Sequence, residues 1–167
     1  MSMVHKISFS MISFIHETLY GIFRDPFKAL SSAGIKEGQS VLEVGCGPGF
    51  FTIPAGRMVG EKGEVVSIDV NPVAVAHVKQ KVEEENVKNI RVIEANASAT
   101  GLPAESFDLV FVFGLGYAAG GIDPIWNEIY RLLRPGGMLS IEGRQSPGQG
   151  LFRYTGRKGR IAGYRKC

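Results

Sequence analysis

Val41-Leu42-Glu43-Val44-Gly45-Cys46-Gly47-Pro48-Gly49-Phe50 is the stretch on which the fold turns. Its first four residues make a short apolar run, the pattern of a buried strand. The run ends in three glycines at alternating positions. Without side chains there, the main chain can lie against a ligand, and the free N–H groups of a following helix point outward. Residues 52–59 read as that helix, with Pro54 in the first turn where proline is tolerated. The spacing is G-x-G-x-G. A dinucleotide loop, G-x-G-x-x-G, would need its third glycine where Phe50 stands. Glu43 sets a carboxylate near the strand tip, two residues before Gly45. A pyrophosphate wants a bare, positive helix end, whereas a carboxylate suits a cationic ligand such as a sulfonium amino acid.

Outward from this loop, strands and helices alternate. Residues 64–69 (EVVSID) form a second strand, closed by Asn71 as a natural N-cap and Pro72 as a first helical residue. A helix over 72–85 should bury Val75, Val78 and Val82. Residues 90–95 and 107–113 are the third and fourth strands. A helix over 124–133 should turn Ile125, Ile129, Leu132 and Leu133 inward and stop at Arg134-Pro135-Gly136-Gly137, ahead of a fifth strand at 138–142. The order implies an α/β fold: a doubly wound, Rossmann-like, mostly parallel sheet with helices on both faces. In such sheets ligands bind outside the carboxyl ends of the strands, here after Val44, Asp69, Ala95, Phe113 and Glu142. Asp69 ends the second strand. A carboxylate there can accept hydrogen bonds from vicinal ribose hydroxyls.

The 167 residues suffice for one domain. With 44% hydrophobic and 21% charged residues the composition is globular, and a net charge of +3 does not by itself imply nucleic acid. Glycine, at 22 residues, is roughly twice its usual ~7% share and clusters at turns. Cys46 and Cys167 have no metal-ligand spacing and are too few for a disulfide scaffold, so the expected compartment is reducing and cytoplasmic. The apolar stretch at residues 7–15 is shorter than the ~20 residues of a membrane span, and His16-Glu17 stands where a cleavage site would need small residues. It reads as an amphipathic helix reaching about Phe23, within an N-terminal helical cap at 1–34 that precedes the main domain at 35–167.

In its motifs the sequence resembles the class I S-adenosylmethionine (SAM)-dependent methyltransferases, and most closely the small quinone-biosynthesis C-methyltransferases. VLEVGCGPGF is similar to their first motif and VVSIDVNP to their second. ANASATGLP, SFDLVFVF and LLRPGGMLSIE are similar to the segments around their third, fourth and fifth strands. The resemblance runs from about Gly38 to Glu142. It implies transfer of a methyl group from SAM, leaving S-adenosyl-L-homocysteine, to a small-molecule acceptor by in-line displacement, without metal. By position, Glu43, Gly45, Cys46, Gly47 and Gly49 would line the methionine part, and Asp69 would hold the ribose. Val70 would pack on the adenine face, Asn96 and Ala97 would meet its edge, and Gly114 and Leu115 would border the sulfonium.

There are three departures from the family pattern. Asn96 stands where an Asp is usual, though an amide can still serve adenine. Gly114-Leu115-Gly116-Tyr117 replaces the polar-Pro-Pro-aromatic motif of the amino-methylating branch. The helix expected after the fifth strand is missing, because residues 143–150 (GRQSPGQG) read as a loop, and a parallel crossover usually needs a dozen residues. The last two strands should therefore be abbreviated and rearranged, or only one should join the sheet, antiparallel. A bare sheet face would then invite a homodimer. No catalytic constellation is visible. Tyr20 and Tyr117 are the candidates for substrate contact, ahead of His16, Glu17 and Arg144. The basic, aromatic-interleaved tail leaves two alternatives open: an RNA methyltransferase, or a non-catalytic SAM-fold binding module.

Overall fold

The computed structural model describes residues 25–113, 123–143, 146–147 and 150–167. The chain runs α1 (Pro26–Ala33), β1 (Ser40–Val44), α2 (Thr52–Val59), β2 (Glu64–Asp69), α3 (Pro72–Glu84) and β3 (Ile90–Glu94). It continues through β4 (Phe107–Val112), α4 (Asp123–Leu132), β5 (Leu133–Glu142), β6 (Phe152–Lys158) and β7 (Ile161–Lys166). One seven-stranded sheet has the order β3-β2-β1-β4-β5-β7-β6. The first five strands are mutually parallel, while β7 is antiparallel to both of its neighbours. Helices cover both faces. α1, α2 and α3 pack with Val41, Val65, Leu109 and Val92 on one side, and Trp126, Ile129 and Leu132 of α4 pack with Leu42, Val66, Val110 and Leu139 on the other.

Local chemistry sets the helix starts. Asp25 caps α1 by accepting from the N–H groups of Phe27 and Lys28, with Pro26 in the first turn, and Gly34 ends it in the left-handed conformation. Asn71 caps α3 through Val73 N–H, again with proline behind it. The last turns of the 1–34 segment, α1, bury Leu30 and Ala33 in the same core as Val41. The residues before α1 lie outside the described ones. Among the described residues no helix is long and apolar enough to cross a membrane.

Two expectations need correction. First, Arg134-Pro135-Gly136-Gly137 does not separate α4 from β5. The strand begins at Leu133, directly after Leu132, and the four residues bulge out of its ladder, because Phe107↔Leu133 is followed by Leu109↔Met138. Gly136 has φ +73, and a Cβ at Gly137 would sit 2.9 Å from the Arg134 carbonyl, so the bulge needs glycine at both positions. Second, the last two strands are not rearranged, and both join the sheet. β5 leaves the sheet at Glu142, level with Ile161 and Lys158, and β6 re-enters at Phe152, opposite Lys166. That return is about 17 Å along the strands and about 10 Å across. The nine connecting residues reach about 30 Å when extended, so no helix is required.

The expected bare face is also closed. Ala162, Tyr164 and Phe152 are buried. The Tyr130 ring meets Phe152 edge-on, Pro147 is buried, and Ser146 Oγ lies 3.4 Å from the Tyr164 hydroxyl. The chain's own residues thus pack over this face of β6 and β7.

Candidate functional site

The parallel strands deliver their ends to one edge of the sheet, and the glycine loop is stitched to that edge. Gly45 and Cys46 N–H both donate to the Ile68 carbonyl, at 2.8 and 3.0 Å. Gly47 N–H donates to Asp69 Oδ2 at 2.9 Å, and Asn71 N–H donates to Asp69 Oδ1 at 2.9 Å. Gly45, Gly47 and Gly49 have φ of +83, +50 and +83, values that residues with a Cβ rarely adopt. A Cβ at Gly47 would meet nothing within 4 Å, so that main chain faces open space. At Gly49 it would press on Val78 of α3 at 3.1 Å. Main chain at Gly47 is therefore bared to the space beside the loop, and Gly49 is where loop and helix come close.

Between the ends of β1, β2 and β3 lies a slot of about 100 Å³ lined by Val44, Gly45, Ile68, Asp69, Val70, Ala95 and Ala97. Whole ligand pockets run to about 300–1,000 Å³, so the slot has room for only one part of a ligand. Val70, an apolar side chain 64% exposed, stands at its mouth. Of the sequence-derived residues, Gly45, Asp69, Val70 and Ala97 come together here. Val44 and Ala95, strand ends after which a ligand was expected, join them, as does Ile68, which the sequence reading did not single out. The signal for them was position, since they sit at or next to the ends of parallel strands. A larger cavity of about 580 Å³, lined by Arg57, Glu61, Glu85, Lys88 and Asn89 among others, lies by the C-terminal ends of α2 and α3 and the start of β3. That is the end of the sheet away from the glycine loop, and an Arg57–Glu85 ion pair of 2.6 Å sits in its wall.

Glu43 is elsewhere. Strand alternation puts it with Val41 on the face covered by α1 and α2, 2% exposed. Its Oε2 accepts from Thr52 Oγ1 at 2.6 Å and from Ser67 Oγ. Burial, aided by the neighbouring Asp69 charge and opposed by these two hydroxyls, raises its pKa to about 7. The carboxyl thus ties β1 to β2 and to the first turn of α2, holding the two ends of the glycine loop. Cys46 is buried against Ala74, Val75, Val78 and Val92, and burial pushes its thiol pKa up, which leaves it an inert packing group. Asn96 is exposed, and its Oδ1 accepts from Ser98 N–H and Oγ, both at 2.9 Å. The loop after it is anchored by Glu128. That carboxylate takes Thr100 N–H and Oγ1 as well as Arg131, and is held down at about 2 chiefly by the Arg131 guanidinium. Gly114, Leu115, Tyr20 and Tyr117 lie outside the described residues.

A sulfonium nucleoside suits these residues. Each Asp69 oxygen has one backbone donor and keeps lone-pair capacity for a hydroxyl. The Gly47 main chain is open, and Val70 offers an apolar wall for a flat ring.

Residues 41–137 match the family model described as a methyltransferase domain. Curated relatives include the ubiquinone/menaquinone biosynthesis C-methyltransferase UbiE of Escherichia coli, 33% identical over 114 residues that make up 67% of this chain and 45% of that protein. The chain thus spans less than half the length of the curated relatives it matches. Among solved structures, a SAM-dependent methyltransferase from Aquifex aeolicus superposes with a TM-score of 0.73 at 26% identity, covering 85% of this chain and 88% of that one. A putative methyltransferase from Methanococcus maripaludis shares the fold, with a TM-score of 0.71 at 19% identity over 83% of this chain and 63% of that one. With the domain match covering more than half of its residues, the chain belongs to the class I S-adenosylmethionine-dependent methyltransferases.

Proposed function

We propose that the protein methylates a small, apolar, quinone-like acceptor. The single observation that carries the cofactor half of this reading is Asp69, whose two oxygens pin the glycine loop and the start of α3 around the slot. The acceptor half rests on the likeness to the quinone C-methyltransferases. When bound, SAM supplies an electrophilic methyl carbon whose C–S electron pair leaves on sulfur, giving S-adenosyl-L-homocysteine, while the acceptor forms the new bond and loses a proton to water.

The chain's own residues bind, orient and exclude water. Asp69 receives the ribose hydroxyls. Gly45, Gly47 and Gly49 present main chain to the methionine part, with Cys46 packed behind them. Val70, Ala97 and Asn96 take the adenine face and edge. Gly114 and Leu115, which follow β4, border the methyl carbon, and Tyr20 and Tyr117 remain the candidates for acceptor contact. Glu43 acts one layer back by fixing the loop. Positioning the reacting atoms near 3 Å in a dry crevice supplies most of what a displacement of this kind needs. The free thiols of Cys46 and Cys167 fit a reducing, cytoplasmic setting.

Titration calorimetry with SAM and S-adenosyl-L-homocysteine tests the reading. Micromolar binding of both is expected, with methyl transfer to hydroquinone acceptors followed by mass spectrometry. No heat with either ligand overturns it.

A further inference from the structure

The charge of this chain is segregated. Its last eighteen residues hold six of the nineteen Lys and Arg and none of the sixteen Asp and Glu, so the rest carries a net charge of −3 although the whole is +3. The six bases lie on the β6–β7 hairpin. Lys166 is buried, donating to the Leu133 carbonyl at 2.7 Å over the Tyr130 ring, whereas Arg153, Arg157, Lys158, Arg160 and Arg165 are exposed. Protecting a free strand edge needs a charge or two, not five. Arg153 and Arg165 also stand directly opposite each other across the ladder, a like-charge pair that weakens the hairpin. Arg157 donates to the Gly143 and Arg160 carbonyls and Arg160 pairs with Glu142 at 3.4 Å, so those two bases also hold the turn, whereas the Arg153–Arg165 opposition serves something other than stability.

Its shape narrows the partner. The bases surround the ribbon. Arg153, Lys158 and Arg165 are on the face of Met138 and Ile161, Arg157 is in register with Ala162 on the opposite face, and Arg160 is in the two-residue turn. A polynucleotide would lie along one side and want aromatics beside the bases it stacks. Only Tyr154 is a large exposed apolar residue of the hairpin. Charges on every side match a medium that encloses the tip, and a tyrosine with an apolar body and a polar end suits the boundary between headgroups and acyl chains. The tip is also correctly aimed. Lys158 and Ile161 are level with Glu142, at the carboxyl ends of the parallel strands where the glycine loop opens.

We propose that the β6–β7 hairpin docks the protein, tip first, onto an anionic lipid bilayer, with the mouth of the methyltransferase site toward the membrane. The proposal rests on the reading of an apolar acceptor, which would partition into that bilayer. Attraction of this kind grows with each base near the surface and fades with salt.

The test is cosedimentation of the full chain with vesicles of phosphatidylcholine alone or with about a quarter phosphatidylglycerol, a proportion that gives the surface a negative potential. Binding is expected only with phosphatidylglycerol, falling as salt rises. In Arg153→Gln/Lys158→Gln/Arg165→Gln it should drop on the order of a hundredfold, at about 1 kcal/mol for each base removed, while SAM binding by calorimetry stays unchanged. Equal binding to both vesicles, no binding, or indistinguishable wild type and variant overturns the proposal. So does a single-stranded RNA that displaces the protein from vesicles at lower concentration than soluble phosphatidylglycerol. A protein that binds vesicles as expected but takes up no SAM would sink the enzymatic reading and leave the docking surface standing.

Discussion

Glu43 in one half of the sheet and Lys166 in the other are both buried, and the two are treated differently. In the half formed by β3, β2, β1 and β4, Glu43 has two hydroxyl donors and, among the described residues, no ion-pair partner, and its carboxyl is raised to about 7. In the half formed by β5, β7 and β6, Lys166 meets a carbonyl, an aromatic face and the Glu105 carboxylate at 3.5 Å. A buried charge given a counter-charge stays usable as a structural tie, whereas one given only neutral donors keeps or loses its proton with pH. The site half thus carries a titrating group beneath its glycine loop, while the hairpin half uses the Lys166 amine as its clasp.

The largest expected effect strikes the core at the foot of both halves. Trp126, buried among Leu102, Phe107 and Ile129, should cost about 3–5 kcal/mol on truncation to alanine. A urea midpoint that moves by less than about 1 kcal/mol would mean this core is not what holds the halves together. Next comes the pH dependence of Glu43. The folded carboxyl, at about 7, keeps its proton where an unfolded one at 4.5 has lost it. Its contribution is therefore full below pH 4.5 and is lost as pH rises to about 7, a fall of about 3 kcal/mol. Glu43→Gln should flatten that segment of the stability curve. Parallel curves for wild type and variant in urea titrations at about pH 5 and about pH 8 would remove Glu43 as the source.

The two halves were not equally legible in the sequence. β2, α2 and α3 were readable almost to the residue because their ends are written locally, in the Asn71 cap, in Pro72 and Pro54, and in the glycines after Val44. The slot was legible in part, because Asp69 sits at a strand end whose role follows from the topology of the sheet. Glu43 was read toward the ligand from motif spacing, and strand alternation was left out of that reading. That alternation had already paired it with Val41, and the Thr52 and Ser67 hydroxyls that satisfy it come from two other elements. The β5–β7–β6 arrangement was obscured for a different reason. Whether nine residues can cross two strand spacings depends on the register between Glu142, Ile161 and Phe152, and no local pattern reveals that.

Asp69 is the point at which the site half can be tested for function apart from stability. Asp69→Ala removes the acceptor of Gly47 and Asn71 N–H as well as the proposed ribose contacts. SAM affinity should fall roughly 10- to 100-fold, since hydrogen bonds to a charged group contribute about 1.5–3 kcal/mol. Asp69→Asn should keep much of the fold's stability and still lose affinity. Calorimetry paired with thermal melts separates the two losses. If both variants bind SAM like the wild type, the ribose role of Asp69 fails.

The smallest effect is the most diagnostic of the other half. Replacing Arg153 with threonine removes one member of the like-charged pair with Arg165 and introduces a residue that suits a strand. Removal of a repulsive cross-strand pair should stabilise the hairpin by about 0.2–1 kcal/mol at low salt. The gain should shrink as salt screens the pair. Urea midpoints at two ionic strengths measure it. A variant less stable than the wild type would show that Arg153 holds the hairpin together, and the contrast between a half built around its ligand loop and a half that sacrifices stability for surface charge would fail with it.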